Sequence, residues 1–178
     1  MRAPEPQASR VMNGIGELLL YLHYDGALHN HNVLWHPNIG PYLSNVPDGC
    51  VLFQHAGLLK QLLAPYPQLK IVLATARVRR YGCVHSAKHL RPSLRARVIG
   101  ATFHSRINKQ DFGALPRGVQ VWNDVPRRRP RSWLALDDDG IDWPEGCRVH
   151  FIQTNASDDI SDPIVLVEIK AKLAALCA

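Results

Sequence analysis

No apolar run in the sequence approaches the ~18–20 uninterrupted residues that a membrane helix needs, so no membrane span is expected. Cysteine is sparse: Cys50, Cys83, Cys147 and Cys177 lie far apart, and no two form a CxxC pair. That spacing argues against a zinc ribbon or a thioredoxin-type redox centre, and free thiols in a reducing compartment are the expectation. The opening stretch MRAPEPQASRVMNG lacks the apolar middle of a secretory signal, which points to a cytoplasmic location. Only 20% of residues are charged while 46% are apolar, a balance that excludes a disordered polyelectrolyte. No segment repeats, so solenoid and propeller architectures are not expected.

What is present is 178 residues, a length suited to one domain with its own core. The net charge of +6 hides an uneven distribution. From Arg77 to Arg131 there are 14 Lys+Arg against 2 Asp+Glu, and after Arg131 there are 9 acids against 3 bases. Such polarity suits a cationic face beside an acidic pocket, with a solvated surface as the plainer reading of the arginines.

Residues 1–16 read as a loose N-terminal arm and residues 17–178 as a single domain. ELLLYLHY (Glu17 to Tyr24) is an apolar run breaking at Asp25-Gly26, the pattern of a buried strand entering a loop. Residues 30–50 hold Pro37, Gly40, Pro41, Pro47 and Gly49, an irregular excursion expected to form a flap. Residues 53–64 repeat apolar positions at helical spacing and stop before Pro65. KIVLA (Lys70 to Ala74) reads as a second strand ending at Thr75, and RVIGA (Arg97 to Ala101) as a third. Residues 84–97 are helical in parts around Pro92, and residues 118–128 form a helix limited or kinked at Pro126. SWLAL (Ser132 to Leu136) is a fourth strand running into Asp137-Asp138-Asp139, and RVHFIQ (Arg148 to Gln153) is a fifth. Asp162-Pro163 opens a final helix with Ile164, Val167, Leu173 and Leu176 expected on or near one face. Strands alternating with helical stretches imply a Rossmann-like α/β fold, a parallel sheet flanked by helices.

Ligands of an open parallel sheet collect beyond the carboxyl ends of its strands. Three such ends carry polar chemistry: His23-Tyr24-Asp25-Gly26, Thr75, and Asp137-Asp138-Asp139. Carboxylates meeting there repel one another unless a hard cation such as Mg²⁺ is present. A hydroxyl and a cationic side chain beside them suit phosphoryl oxygens.

The order LYLHYDGALH (Leu20 to His29), IVLATAR (Ile71 to Arg77) and WLALDDD (Trp133 to Asp139) resembles the haloacid dehalogenase-like (HAD) superfamily of phosphohydrolases. WHP (Trp35 to Pro37), GPYL (Gly40 to Leu43) and RVIGAT (Arg97 to Thr102) are similar to small bacterial HAD domains of the Swiss Army Knife RNA repair-like group. The resemblance implies a HAD-like sheet with no large cap domain. It also implies an Mg²⁺-supported site for a phosphorylated small molecule or a nucleic-acid end. In the family motif D-x-D-G the first aspartate is the nucleophile and the second the acid/base. Carried over, Asp25 takes the acid/base position and His23 stands where the nucleophile belongs. Thr75 would hold a phosphate oxygen, Asp25, Asp137 and Asp138 would serve the metal, and Arg117 or Arg77 would neutralise phosphate.

Imidazole is a poor Mg²⁺ ligand, and His for Asp removes a negative charge, so metal affinity and acyl-phosphate chemistry fall together. An impaired or repurposed phosphate- or nucleotide-binding domain is therefore expected. Two alternatives stand beside it: a phosphohistidine intermediate with Asp25 protonating the leaving group, and a softer ion such as Mn²⁺ or Zn²⁺ at His23, Asp137 and Asp138.

Other constellations carry their own expectations. His29, His31 and His36 have weak zinc-ligand spacing, and the resemblance implies that His29 and His36 are flap features. Trp35, Tyr42 and Phe53 are expected to pack the flap onto the sheet. Arg127-Arg128-Arg129-Pro130-Arg131, with Arg77, Arg79 and Arg80, is a candidate RNA-backbone contact, the alternative being a solvated connection.

Overall fold

The structure, a computed structural model, describes residues 14–155 and 158–178. Most of the expected N-terminal arm lies outside them. Five strands form one parallel sheet: β1 (Leu18–Leu22), β4 (Leu69–Leu73), β5 (Val98–Ala101), β6 (Ser132–Asp137) and β7 (Phe151–Gln153), in the order β5-β4-β1-β6-β7. Between β1 and the first helix, β2 (Val33–His36) and β3 (Gly40–Leu43) pair as an antiparallel hairpin. The helices are α1 (Ala56–Leu63), α2 (Ala76–Tyr81), α3 (Cys83–Ala87), α4 (Pro92–Arg95), α5 (Lys109–Ala114), α6 (Arg117–Arg128) and α7 (Pro163–Cys177), with a 3-10 helix over Glu145–His150.

The central strand explains the layering. Every residue of β1 is buried because the sheet is covered on both faces. Successive side chains alternate, so Leu18, Leu20 and Leu22 join one core with Leu59 and Leu63 of α1 and Val165, Ile169 and Leu173 of α7. Leu19 and Tyr21 join a second core with Val121 of α6, Trp133, Trp143 and Cys147.

The strands pair in register, with Leu22 opposite both Leu73 and Leu136. Parallel strands in register place their carboxyl ends on one edge. The ladder continues there through His23 N–H to Leu136 O (3.0 Å) and Ala74 N–H to Leu22 O (2.9 Å). The His23, Thr75 and Asp137 ends therefore share one rim.

Several expectations are corrected. The segment 148–153 is strand only over Phe151–Gln153; its first half belongs to the 3-10 helix that starts after Pro144 and buries Cys147. The flap is not irregular throughout, since residues 33–43 form the β2–β3 ladder. Pro126 does not end α6, which stops where Arg129 takes the left-handed conformation (φ 48°). In α7 the buried positions are Val165, Ile169 and Leu173, spaced four apart, whereas Ile164 is 80% exposed and Val167 69%. This helix is apolar nearly all round, so periodicity had no single face to mark. Two short helices carried no strong pattern: α2 is capped by Thr75, and α5 by Asn108, whose side chain accepts from the backbone of Gln110 and Asp111. Among the described residues no helix is long and apolar enough to cross a membrane.

Candidate phosphate site at the carboxyl edge

His23 continues the odd-numbered face of β1, which looks toward α6, and it is buried. Its Nδ1 lies 3.2 Å from Ala74 O. A carbonyl only accepts, so a hydrogen bond to Ala74 uses the Nδ1–H tautomer, which leaves Nε2 to accept. Arg117, the first residue of α6, places Nη1 against both ring nitrogens. Burial first, then the Arg117 charge, push the His23 pKa down to about 3, so the ring is neutral at physiological pH.

Arg117 also reaches Asp137, Nε to Oδ2 3.3 Å. Its position depends on Gly118, where an added Cβ would stand 2.8 Å from the Trp143 backbone. Trp143 in turn donates Nε1–H to Asp139 O at 2.6 Å, tying the start of α6 to the triple-acid turn. Burial pushes the Asp137 carboxyl well above the usual range, against the opposing pull of Arg117 and the Asp139 N–H at 3.1 Å.

Asp138 lies beside the glycine turn after β1. Gly26 adopts φ +73°, and a Cβ there would come within 2.4 Å of the Asp138 carboxyl carbon, so only glycine admits this approach. His23, Asp137 and Asp138 offer ligand atoms all within 4.8 Å of one another. Among the described residues this is the one such group of His, Cys, Asp or Glu.

Asp25 stands apart from that trio. Its Oδ1 accepts from His29 Nε2 (2.9 Å) and Arg77 Nη2 (2.8 Å). Burial opposes ionisation, but the His29 bond and the Arg77 charge outweigh it and hold this carboxyl well below the usual range. His29 is fixed for this role because Phe53 N–H donates to its Nδ1 at 3.2 Å. Arg77 is itself buried, lies over Phe53 (5.3 Å) and Tyr24 (5.8 Å), and leaves Nη1 without a hydrogen bond. Thr75 caps α2, its hydroxyl accepting from Arg77 N at 3.4 Å.

The rim thus brings together His23, Thr75, Arg117, Asp137 and Asp138, with Asp25 and Arg77 paired alongside. The group of His23, Asp137 and Asp138 does not include Asp25, whose Oδ1 is bound by Arg77 and His29. His29, His31 and His36, whose spacing is weak for zinc, form no ligand group among the described residues. His29 is buried against Asp25, His31 is exposed, and exposed His36 accepts from Asn38 N at 3.2 Å. Arg127 and Arg128 are not free phosphate contacts either. Both pair with buried Asp124, Arg128 through Nε at 2.5 Å, and Asp124 also accepts from Tyr21 Oη at 3.1 Å. Phe53 packs under the flap against Tyr24 and His29, whereas Trp35 packs on Tyr81 and Arg80.

One residue of interest escaped sequence reasoning. Asp159 is fully buried, neither carboxylate oxygen has a hydrogen bond, and His55 Nε2 approaches to 3.5 Å. Burial, with the Asp138 charge, pushes its pKa up to about 6. In sequence it is visible only as one residue of a polar stretch, NASDDISD (Asn155 to Asp162).

Sheet order, flanking helices and a polar rim at the carboxyl edge define the class: a Rossmann-like α/β domain of the HAD type. The family described as the HAD domain in Swiss Army Knife RNA repair proteins matches residues 19–165, and the chain belongs to it. Neither a curated protein nor a solved structure matches the chain.

Proposed function

We propose that this HAD domain binds a phosphoryl group at the rim and has little or no phosphohydrolase turnover, because His23 fills the nucleophile position. The carrying observation is the Arg117 guanidinium lying across His23 and Asp137, where a catalytic metal would need open carboxylates. A guanidinium there supplies fixed positive charge for phosphate oxygens without a metal. Thr75 would add a hydroxyl, and Arg77 a further cation beside it.

The chemistry of the donor set supports the same reading. Mg²⁺ prefers oxygen ligands, whereas this trio offers one imidazole and an Asp137 whose carboxyl burial pushes above the usual range and Arg117 already contacts. The residues do not suit Mg²⁺, and Mn²⁺ or Zn²⁺ fits one nitrogen and two oxygens better. Asp25 also points away from turnover. A general acid must hold a proton, and Arg77 and His29 keep this carboxyl ionised.

Calorimetry with inorganic phosphate in a chelator tests the reading. Phosphate binds without divalent ions, and Arg117→Ala weakens it by about tenfold or more. Binding seen only after Mg²⁺ is added contradicts it.

A second reading has one observation in its favour: burial and the Arg117 charge keep the His23 ring neutral, so it holds the nitrogen lone pair that a nucleophile needs. Nε2 would form the N–P bond as the P–O bond to the leaving alcohol breaks. The alkoxide would take a proton from water, since Asp25 is held ionised, and a further water would then hydrolyse the phosphohistidine. Acid-labile, base-stable labelling from a ³²P-phosphorylated substrate, absent in His23→Ala, identifies this route.

A further inference from the structure

A cavity of about 420 Å³ lies between the flap and α2, outside the His23–Asp137–Asp138 group. One wall is Val33, Leu34, Trp35 and Pro41 of the hairpin; the other is Ala76, Arg77, Arg79, Arg80 and Tyr81 of α2. Lys109 of α5 and Asp25 complete it. Its volume falls among pockets that accept whole organic ligands, roughly 300–1,000 Å³.

The lining combines two chemistries. Four cations face one carboxylate, and that carboxylate is already paired with Arg77. No ion pair ties down Arg79, Arg80 or Lys109 among the described residues. Arg77 keeps a buried, unbonded Nη1. Aromatic surface stands beside these charges. Trp35 packs on Tyr81 (ring centroids 4.7 Å apart) and beneath Arg80 (4.6 Å), yet remains 36% exposed.

We propose that this groove is the seat of an unpaired nucleic-acid strand, its phosphates on Arg79, Arg80 and Lys109 and a base against the Trp35–Tyr81 cluster. A phosphopeptide would use the cations but leave the flat apolar walls without a matching face. Every base presents a π-face, and cation-lined grooves with stacking aromatics bind single strands regardless of sequence. A duplex hides those faces, so an unpaired strand is required. Asp25 lines the groove and reaches the rim, so the proposal rests on the phosphate-seat reading only for where the strand ends. The groove contacts stand without it.

The test is fluorescence anisotropy with a labelled single-stranded RNA of roughly 12 nucleotides carrying no terminal phosphate, between about 50 and 200 mM salt. Affinity falls with salt, and Arg79→Ala with Arg80→Ala flattens the log–log slope by about 1.4, at ~0.7 per lost contact. Trp35→Ala weakens binding about tenfold and leaves the slope in place. Exposed Lys109→Glu serves as the variant least able to disturb folding and weakens binding too. RNA binding indifferent to all of these overturns the proposal. So does a phosphopeptide or a duplex that binds as tightly as the single strand. Loss of phosphate binding at the rim with groove binding intact would defeat the phosphate-seat reading alone.

Discussion

Asp159 holds φ 53°, is fully buried, and has an unbonded carboxyl close enough to Asp138 to feel its charge. An acid whose folded pKa is raised binds protons that the unfolded chain has already released. Between the ordinary carboxylate value of 3.8 and about 6, stability is therefore lost as pH rises, and above 6 the full cost of the buried charge applies. Asp159→Asn removes that cost. Denaturant unfolding should show the variant more stable by about 1–3 kcal/mol at neutral pH, the gap closing as pH falls below about 4. A gap independent of pH would mean that folding leaves the Asp159 carboxyl at its ordinary pKa. His23, Thr75, Asp137 and Asp138 were each legible in sequence as strand-end residues. Arg117 and Arg77 were named only through the family resemblance, and their pairing with His23 and Asp25, like that of His29, arises from tertiary folding: Arg117 lies 94 residues from His23.

At the scale of elements, α6 matters most, because its first turn carries Arg117. Gly118 lets that turn sit against Trp143, and the clash there involves backbone. Gly118→Ala should lower the urea midpoint at unchanged m-value, a loss of about 1–3 kcal/mol, and weaken phosphate binding with it. Unchanged phosphate affinity in a destabilised variant would show that this contact does not position Arg117. The strands of the sheet were legible because fully buried runs such as LLLYL and LKIVL are bounded by turn residues. The short helices were less so. The six residues of α2 hold three arginines and one tyrosine, a composition that hides a helix whose start is signalled by Thr75 alone. The hairpin was masked by its own prolines: Pro41 sits within β3, opposite Trp35, in a ladder of only two strands, where proline is tolerated at an edge.

Across the whole molecule, the basic stretch from Arg77 to Arg131 does not act as one surface. Arg97 is spent on the carbonyls of Leu63, Tyr66 and Leu69, and Arg128 on Asp124 and Ala101 O. Arg117 goes to the rim, while Arg79 and Arg80 go to the groove. Charge counted along a chain cannot separate these duties, because burial and pairing are properties of the fold. Convergence of the three strand ends was foreseeable, since parallel pairing in register leaves no other edge for them. The chemistry of the rim turns on what stands at the end of the central strand. Phosphate release from a phosphorylated oligonucleotide, with Mg²⁺, by the native chain and by His23→Asp compares the two directly. The expected result is turnover in His23→Asp that exceeds the native chain by orders of magnitude. Rapid release by the native chain, abolished rather than raised by the aspartate, would contradict it.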